Sequence, residues 1–503
     1  MTVGVKLTGA TSNFGSHWKS INWNKVKADV KRLQMRIAKA VREGKQNRVK
    51  SLQWLLAHSF SAKLLAVKRV TSSKGAKTPG VDGAIWNTPA RKIKGVLSLQ
   101  RRGYKALTLR RILISKKGKK GKFRPLGIPT IRDRAMQALY LITLEPIAET
   151  KADPNSYGFR YYRACRDAIA QCFCVLGKKH YAEWILDADI KACFDYIDHN
   201  WLLSNIPMDK VMLKQWLKCG YFQDKKLYPT KFGTPQGGIL SPTLANMTLD
   251  GLEEVIRKSC PTRLKENKKI RSKVHYIRYA DDLVTTASSK ELLENNIIPA
   301  INDFLKPRGL MLSPEKTRIL KLEEGFDFLG QNIRRHKNRL LITPSKENVK
   351  NFLSKVRSTI KSCHGWKTED MIKKLNPIIR GWAYYHRFIH SYRAFWIAGK
   401  TIFQALQRWM RRRHPEKGYG WLIKNYFNNP NRKWGFTCYI KDRSGKRKLL
   451  ELIKPSYIKI VQYIKIKGES TPFDPIYEDY FKMRREFRNY RSHQTNNLAA
   501  GLQ

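Results

Sequence analysis

The chain has 503 residues, of which 42% are hydrophobic and 11% aromatic, so it can build packed cores and is not a disordered basic tail. Its 99 Lys and Arg residues against 39 Asp and Glu residues give a formal net charge of +60. Solubility alone needs a net charge of only about 2 to 8 in a small domain, so this excess indicates a polyanionic partner, nucleic acid. No apolar run reaches the roughly 18 residues that span a bilayer, which predicts no membrane partner.

The eight cysteines include no Cys-x-x-Cys pair and no Cys and His spacing of the zinc-binding type. The sequence therefore predicts neither a zinc site nor a disulfide framework. Reduced thiols are typical of the cytoplasm. We expect a cytoplasmic, bacterial and nucleoid-associated protein, with an organelle left open as the alternative.

Two N-terminal stretches repeat apolar residues every three or four positions, which predicts amphipathic helices. The first runs from Val26 to Val41 and the second from Leu52 to Leu64. The Gly, Pro and Ser residues between Ser72 and Gly83 predict a loop. A first domain boundary is expected near residue 90.

Short β-rich runs alternate with helical ones between about residues 105 and 335, which is typical of an α+β domain. The helical period returns after Pro344 and ends at Gly365, and the chain beyond about residue 425 is aromatic and basic with no predictable fold. The predicted strands are Leu109 to Ser115, Trp184 to Ala188, Val274 to Arg278, and Leu283 to Thr286.

Two adjacent carboxylates, Asp281 and Asp282, stand between two of these strand-like runs. The simplest geometry is a β-hairpin with both carboxylates at its turn. Adjacent anions repel each other and lose hydration when the flanking strands are packed, so something positive must compensate them. The alternative is that both are ordinary turn residues.

A third carboxylate, Asp189, follows the strand-like run that begins at Trp184. If that strand neighbours the hairpin, Asp189 and Asp281 converge at one sheet edge. Carboxylate and carbonyl oxygens are the preferred ligands of hard divalent cations. Two such ions stabilise the attacking and leaving oxygens of an in-line phosphoryl displacement.

Three short motifs occur in one order along the chain, and three ordered motifs are far more specific than one. Together they resemble the palm motifs of reverse transcriptases. They are Asp189-Ile190-Lys191-Ala192-Cys193-Phe194, Pro235-Gln236-Gly237-Gly238-Ile239-Leu240-Ser241-Pro242, and Tyr279-Ala280-Asp281-Asp282.

Further motifs narrow the resemblance to the reverse transcriptase/maturase proteins that group II introns encode. They look like the N-terminal extension, the fingers, the primer-gripping segment, the maturase domain and the DNA-binding region of that family. In chain order they are Trp18–Trp23, Leu33–Ile37, Thr78–Gly83, Arg124–Pro129, Phe328–Gly330, Ile379–His386, Ile464–Gly468 and Pro472–Pro475.

The resemblance implies an α+β right-hand polymerase whose fingers and palm contain a small antiparallel sheet. A helical N-terminal extension is expected over residues 1–90, and the fingers and palm over 91–335. An α-helical thumb and maturase domain is expected over 336–425, and a basic DNA-binding region over 426–503. The implied activity is RNA-directed DNA polymerisation, with assistance to intron splicing and copying of the intron at a DNA target.

The implied partners are a group II intron RNA, target DNA with a primer 3′ end, and deoxynucleoside triphosphates. The resemblance also assigns roles to individual residues. The catalytic and metal-binding set, for two magnesium ions, is Asp189, Asp281 and Asp282 with the carbonyl of Ile190. Nucleotide contacts are Lys116, Arg124, Phe194 and Gln236, the primer grip is Phe328, Leu329 and Gly330, and the RNA contacts are Arg380, Arg387, Arg411, Arg412 and Arg413.

Other functions stay open at this point. One is a splicing cofactor that folds intron RNA without polymerising DNA. Another is a retron or diversity-generating reverse transcriptase, although the latter typically has Ser-Gln where this chain has Ser241-Pro242. Many group II relatives also carry an HNH nuclease with cysteine pairs. None is expected here, so the primer 3′ end is expected from a replication fork or from cutting by the intron RNA.

Overall fold

The computed structural model of the chain describes residues 14–115, 121, 123–177, 182–260, 263–265, 268–270, 272–430, 435–441 and 445–486. Contacts group the described residues into two compact units. The first lies within Met1–Ala164, Leu186–Ile319 and Ile466–Phe481, and the second within Cys165–Ile185, Leu320–Lys465 and Lys482–Gln503.

Helices form the N-terminal part of the first unit. The predicted first helix is confirmed, with Val26, Val30 and Ile37 on its buried face. The second predicted stripe is split, because Ser59 is extended (φ −68°, ψ 136°) and its side chain accepts a hydrogen bond from the Ala62 N–H as an N-cap. The helices are α1 (Phe14–Ser20), α2 (Trp23–Arg42), α3 (Gln46–His58), α4 (Phe60–Thr71) and α5 (Pro89–Ser98).

The next sheet has the order β2-β1-β4-β5 and corresponds to the expected fingers. β1 and β2 are antiparallel, with Ile114 opposite Arg124, but β1 and β4 run parallel, with Leu109 opposite Tyr221. The predicted antiparallel pairing is present for β1 with β2 and for β4 with β5, and the parallel pair joins these two hairpins into one mixed sheet. Its strands are β1 (Leu109–Ser115), β2 (Phe123–Ile128), β4 (Tyr221–Gln223) and β5 (Lys226–Tyr228).

The expected palm contains a second sheet, of order β10-β3-β9-β8. Three of its strands agree with the predicted runs to within two residues: β3 (Trp184–Asp189), β8 (His275–Tyr279) and β9 (Asp282–Ala287). The fourth, β10 (Arg318–Lys321), was not predicted. A short hairpin of β6 (Arg263–Lys265) and β7 (Lys268–Ile270) precedes β8. The nearly fully buried α6 (Ile131–Lys151) forms the core of the first unit together with α2 and α4.

Shorter helices connect these strands. They are α7 (Cys165–Leu176), α8 (Cys193–Tyr196), α9 (His199–Asn205), α10 (Lys210–Lys218), α11 (Ser241–Leu249), α12 (Leu252–Lys258), α13 (Lys290–Leu292) and α14 (Ile298–Leu305), with a π-helical turn (Leu293–Ile297) between the last two.

The second unit combines a three-stranded antiparallel sheet with helices around an apolar core that includes Val356, Leu375 and Ile402. The helix predicted after Pro344 is confirmed and begins where the Ser345 side chain accepts a hydrogen bond from the Asn348 N–H. The elements are β11 (Phe326–Phe328), β12 (Gln331–His336), β13 (Arg339–Pro344), α15 (Lys346–Ser362), α16 (Thr368–His386), α17 (Tyr392–Arg413), α18 (Tyr419–Tyr426), β14 (Thr437–Lys441) and β15 (Arg447–Glu451).

Two expectations about the domains need adjustment. The boundaries after residues 90, 335 and 425 fall inside α5, β12 and α18, so they do not coincide with gaps between elements, and the four-domain division stays a prediction. The expected basic C-terminal region is also not uniform: Ile466–Phe481 has one lysine against four carboxylates and belongs to the first unit. There it forms ion pairs with α2, for example Arg42 with Asp474 at 3.0 Å.

None of the helices in the described part of the chain has the length and apolar character required to cross a membrane.

Candidate active site

The predicted hairpin at Asp281 and Asp282 is confirmed. Tyr279 pairs with Asp282 across β8 and β9, which leaves Ala280 and Asp281 as the turn. Ala280 has a positive φ of 59°, a conformation that a residue with a Cβ rarely adopts. Gly158 packs directly against this turn, since a Cβ added at position 158 would lie 2.4 Å from the Ala280 nitrogen. A larger residue at position 158 would therefore displace the carboxylates.

Asp189 stands at the end of β3, next to this turn. The Ile190 N–H donates a hydrogen bond to the Asp281 carbonyl at 3.2 Å, and the Ser313 N–H donates one to the Asp189 carbonyl at 2.8 Å. These backbone bonds fix the strand end between the hairpin and the segment around Ser313. The structure thus brings together the carboxylates that the sequence predicted to converge.

The three carboxylates influence one another electrostatically. Burial raises the pKa of Asp281 above its usual value, and the charge of Asp189 raises it further. Burial also raises the pKa of Asp282 to about 7, with the charges of Asp281 and Asp189 as the next causes. Such mutual repulsion is the physical signature of a site that gains from a positive ion.

A lysine that the sequence reasoning missed supplies part of this positive charge. The Lys316 ammonium lies 2.7 Å from the Asp189 carboxylate. Burial opposes the charged form of Lys316, but the hydrogen bond and charge of Asp189 dominate, so the pKa of Lys316 is raised. Lys316 lies far along the chain from Asp189, and no local spacing connects the two.

The donor chemistry fits magnesium. Asp189, Asp281, Asp282 and the Ile190 carbonyl are all hard oxygen donors, which Mg²⁺ prefers to nitrogen or sulfur. Within the described residues, no group of three or more His, Cys, Asp and Glu side chains is arranged as a ready-made metal site. Divalent ions would have to replace Lys316 on Asp189 and draw the carboxylates together.

A second feature missed from the sequence is the buried cation beneath the turn. The Arg278 side chain is completely buried and lies 2.6 Å from the Asp250 carboxylate. It also donates to the Asn246 side chain at 3.1 Å and to the Ala280 carbonyl at 3.4 Å. Burial raises the pKa of Asp250 to about 7, although Arg278 opposes the rise. An arginine inside an apolar strand run was the available signal.

Two of the predicted nucleotide-binding residues, Phe194 and Gln236, line one cavity. The cavity has a volume of about 470 Å³ and is also lined by Asp195 and Gly127. The Gln236 amide donates to both carboxylate oxygens of Asp195, at 3.2 and 3.3 Å. The Gly127 N–H donates to the Gln236 carbonyl at 2.8 Å, which joins β2 to this loop. Asp195 was not predicted.

Arg124 lies on β2, and its side chain is exposed. Burial raises the pKa of Asp281, and the charge of Arg124 partly opposes that rise. Phe194 is half-buried, with its ring edge-on to Phe159 at 6.2 Å. Lys116, the fourth predicted nucleotide contact, lies outside the described residues.

The predicted primer grip belongs to the second unit. Phe328 is buried, and Leu329 and Gly330 form the turn between β11 and β12 with φ values of 51° and 72°. The Tyr385 hydroxyl donates to the Leu329 carbonyl at 2.7 Å. A Cβ at position 330 would lie 2.8 Å from the Asn348 amide nitrogen, so this turn needs its glycine.

The predicted RNA-binding arginines differ in exposure. Arg380, Arg411 and Arg412 are exposed, and Arg413 is half-buried over the ring of Trp409. Arg387 is only 8% exposed, and its guanidinium packs near the rings of Tyr384 and Phe388. A buried guanidinium disagrees with the predicted phosphate contact, so Arg387 is left out of the proposed RNA surface.

Comparison with known proteins is consistent with these features. Residues 114–333 match the family of reverse transcriptases (RNA-dependent DNA polymerases), 18–99 the N-terminal domain of reverse transcriptase, and 349–427 the group II intron maturase-specific domain.

Individual relatives match over much of the chain. Protein YkfC of Escherichia coli is 30% identical over 59% of this chain and 88% of its own length. The group II intron-encoded protein LtrA of Lactococcus lactis is 31% identical over 54% of each chain, so this chain spans about half the length of LtrA. An uncharacterised 91 kDa protein in the cob intron of Schizosaccharomyces pombe is 28% identical over 65% of this chain and 49% of its own.

The palm carboxylates, the polymerase domain and the maturase-specific domain therefore occur on one chain. The chain belongs to the family of group II intron-encoded reverse transcriptases/maturases and carries an RNA-directed DNA polymerase domain.

Proposed function

We propose that the protein copies RNA into DNA and also assists the splicing of a group II intron, whose RNA it copies at a DNA target. The observation that carries this proposal is the meeting of Asp189, Asp281 and Asp282 at one end of the palm strands. Family membership supports an intron RNA as the partner. The proposed site of action is DNA in the bacterial cytoplasm, with an organelle as the alternative.

The roles of the site residues follow from their chemistry. Two magnesium ions, bound by Asp189, Asp281, Asp282 and the Ile190 carbonyl, would supply charge stabilisation for in-line displacement at the α-phosphate of a nucleotide. Arg124, with its planar array of donors, binds the triphosphate. The Phe194 ring excludes a ribose 2′-hydroxyl, and Gln236 contacts the incoming nucleotide.

RNA binding is assigned to exposed cations of the helical second unit. Arg380, Arg411 and Arg412 present guanidinium groups to solvent, where they can contact phosphates. Phosphate contacts position an RNA but carry no sequence information, so specificity would come from folded shape and unpaired bases. Phe328, Leu329 and Gly330 keep their proposed role at the primer.

The test is primer extension on an RNA template with magnesium, run beside a splicing assay with a group II intron RNA. We expect cDNA synthesis and splicing from the unmodified protein. Asp281→Asn should abolish synthesis and retain splicing, since it removes a ligand charge while keeping the shape. A protein that never extends a primer, but splices, would contradict the polymerase part and leave a splicing cofactor.

A further inference from the structure

The second unit contains a cavity that the polymerase chemistry does not use. It has a volume of about 370 Å³ and lies where α17 and α18 meet the chain after β15. Rings of Trp396, Phe403 and Tyr419 line it, and Lys400 and Lys454 stand beside them. None of its described lining residues is Asp or Glu, so its charge is positive.

One face of α17 leads to this cavity. Tyr392, Trp396, Lys400 and Phe403 follow one another at spacings of three or four residues, which places them on one side of the helix. Tyr392 is 71% exposed and Trp396 is 54% exposed, so these rings contribute little to the core. Exposed aromatic side chains in a row are typical of a binding surface.

Cations accompany the rings. The Lys400 ammonium lies 5.6 Å from the centre of the Trp396 ring, and the Arg411 guanidinium lies 6.0 Å from that of Tyr419. Lys454 lies 5.3 Å from the Tyr457 ring, just beyond the cavity. Flat rings alternating with positive groups are the arrangement with which proteins hold unpaired nucleotides, since every base has a π-face and every linkage a negative charge.

We infer that this cavity receives one unpaired nucleobase of an RNA strand. Trp396 stacks on the base, and Lys400 and Lys454 bind the phosphates on either side. An apolar peptide in this cavity would leave Lys400 and Lys454 without anionic partners, so RNA is favoured. The inference rests on the proposed function for the identity of the strand as intron RNA.

Photocrosslinking locates the site directly. The probe is a short single-stranded oligoribonucleotide carrying 4-thiouridine, irradiated with the full-length protein and followed by peptide mapping. We expect adducts on Trp396, Phe403 or Tyr419 that a duplex competitor removes only weakly. Adducts confined to the first unit would overturn the inference.

Variants of Trp396 and of Lys400 separate stacking from charge. Trp396→Ala should weaken binding of this oligoribonucleotide roughly 5- to 150-fold, and Trp396→Phe should restore most of it. In both Trp396 variants, the slope of log affinity against log salt concentration should stay as in the wild type. Lys400→Ala should lower the magnitude of that slope by about 0.7. Trp366→Ala is the matched control, because Trp366 is 40% exposed and also lies beside a lysine, Lys374.

The results also distinguish this inference from the proposed function. Equal RNA affinity of Trp396→Ala and wild type would overturn the base site, whatever the polymerase does. Absence of primer extension by the unmodified protein would overturn the polymerase and leave the crosslink as independent support for the base site.

Discussion

The turn at Asp281 and the exposed face of α17 differ in how their charges are stabilised: one relies on a buried ion pair and the other on exposure to solvent. Near the turn, Arg278 is completely buried, and Asp250 is the carboxylate that forms an ion pair with it. On α17, Arg411 and Arg412 are exposed and adjacent, so one can substitute for the other at a phosphate. A buried charge without a partner strongly destabilises the fold, whereas an exposed charge is screened by water and salt. The difference predicts large effects of single charge removals in the palm and small effects of removing either arginine alone on the helix.

The largest expected effect is at Asp189. Asp189→Asn should lower the rate of primer extension at least about a thousandfold, since metal-ion stabilisation is worth several kcal/mol. Asp187→Asn is the matched control: Asp187 lies on the same strand and is paired with Arg318 at 3.1 Å. Single-turnover kinetics with saturating nucleotide measure both. Equal losses in the two variants would remove the distinction between the palm carboxylates.

Arg278 should be the most sensitive position for stability. Arg278→Met leaves Asp250 buried without its cation and should lower the free energy of unfolding by about 3 to 5 kcal/mol. Adding Asp250→Asn should recover much of that loss. Arg318→Met, at a side chain that is 64% exposed, should cost less than about 1 kcal/mol. Urea denaturation of the four proteins checks this, and similar losses at positions 278 and 318 would contradict it.

A pH effect should arise in the second unit at His386. Burial lowers the pKa of His386 to about 4, so the folded protein keeps it neutral while the unfolded chain protonates it below about pH 6.5. Stability is therefore complete above pH 6.5 and falls as pH drops toward 4, by up to about 3 kcal/mol from this group. His386→Gln should remove this part of the pH slope. An unchanged slope in urea denaturation would show that His386 does not cause it.

Asp195 should have the smallest of these effects. Asp195→Ala removes the acceptor that orients the Gln236 amide, and a hydrogen bond to a charged group is worth about 1.5 to 3 kcal/mol when buried. Because this pair is exposed, we expect the KM for deoxynucleotides to rise only about tenfold, with kcat nearly unchanged. Asp195→Asn should recover part of the affinity. In a Gln236→Ala background, a further loss on removing Asp195 would contradict positioning through Gln236.

The hairpin and its carboxylates were predictable because their signal is local. Strand-like runs on both sides leave only a short turn for Asp281, and the run before Asp189 ends at that residue. The pairings of Lys316 with Asp189 and of Arg278 with Asp250 join residues that no spacing rule connects. Only the packed tertiary structure reveals them.

Arg387 shows that the charge of a residue and its position on a helix can indicate different roles. Ile379, Ala383 and His386 form the buried face of α16, and Arg387 follows four residues after Ala383 on the same side. The helical spacing was therefore a signal for burial, but Arg387 was assigned to RNA binding for its positive charge. Similarly, Ser59 is a strong N-cap residue within an apolar stripe, which was the signal for two helices in place of one.

The most direct test of the central claim is whether the palm carboxylates bind a divalent cation. Electron paramagnetic resonance titration with Mn²⁺ should detect binding to the wild-type protein and to Asp187→Asn. Asp281→Asn should lose that binding while its affinity for single-stranded RNA stays the same. Equal Mn²⁺ binding by wild type and Asp281→Asn would contradict the assignment of the turn as the metal centre of the polymerase.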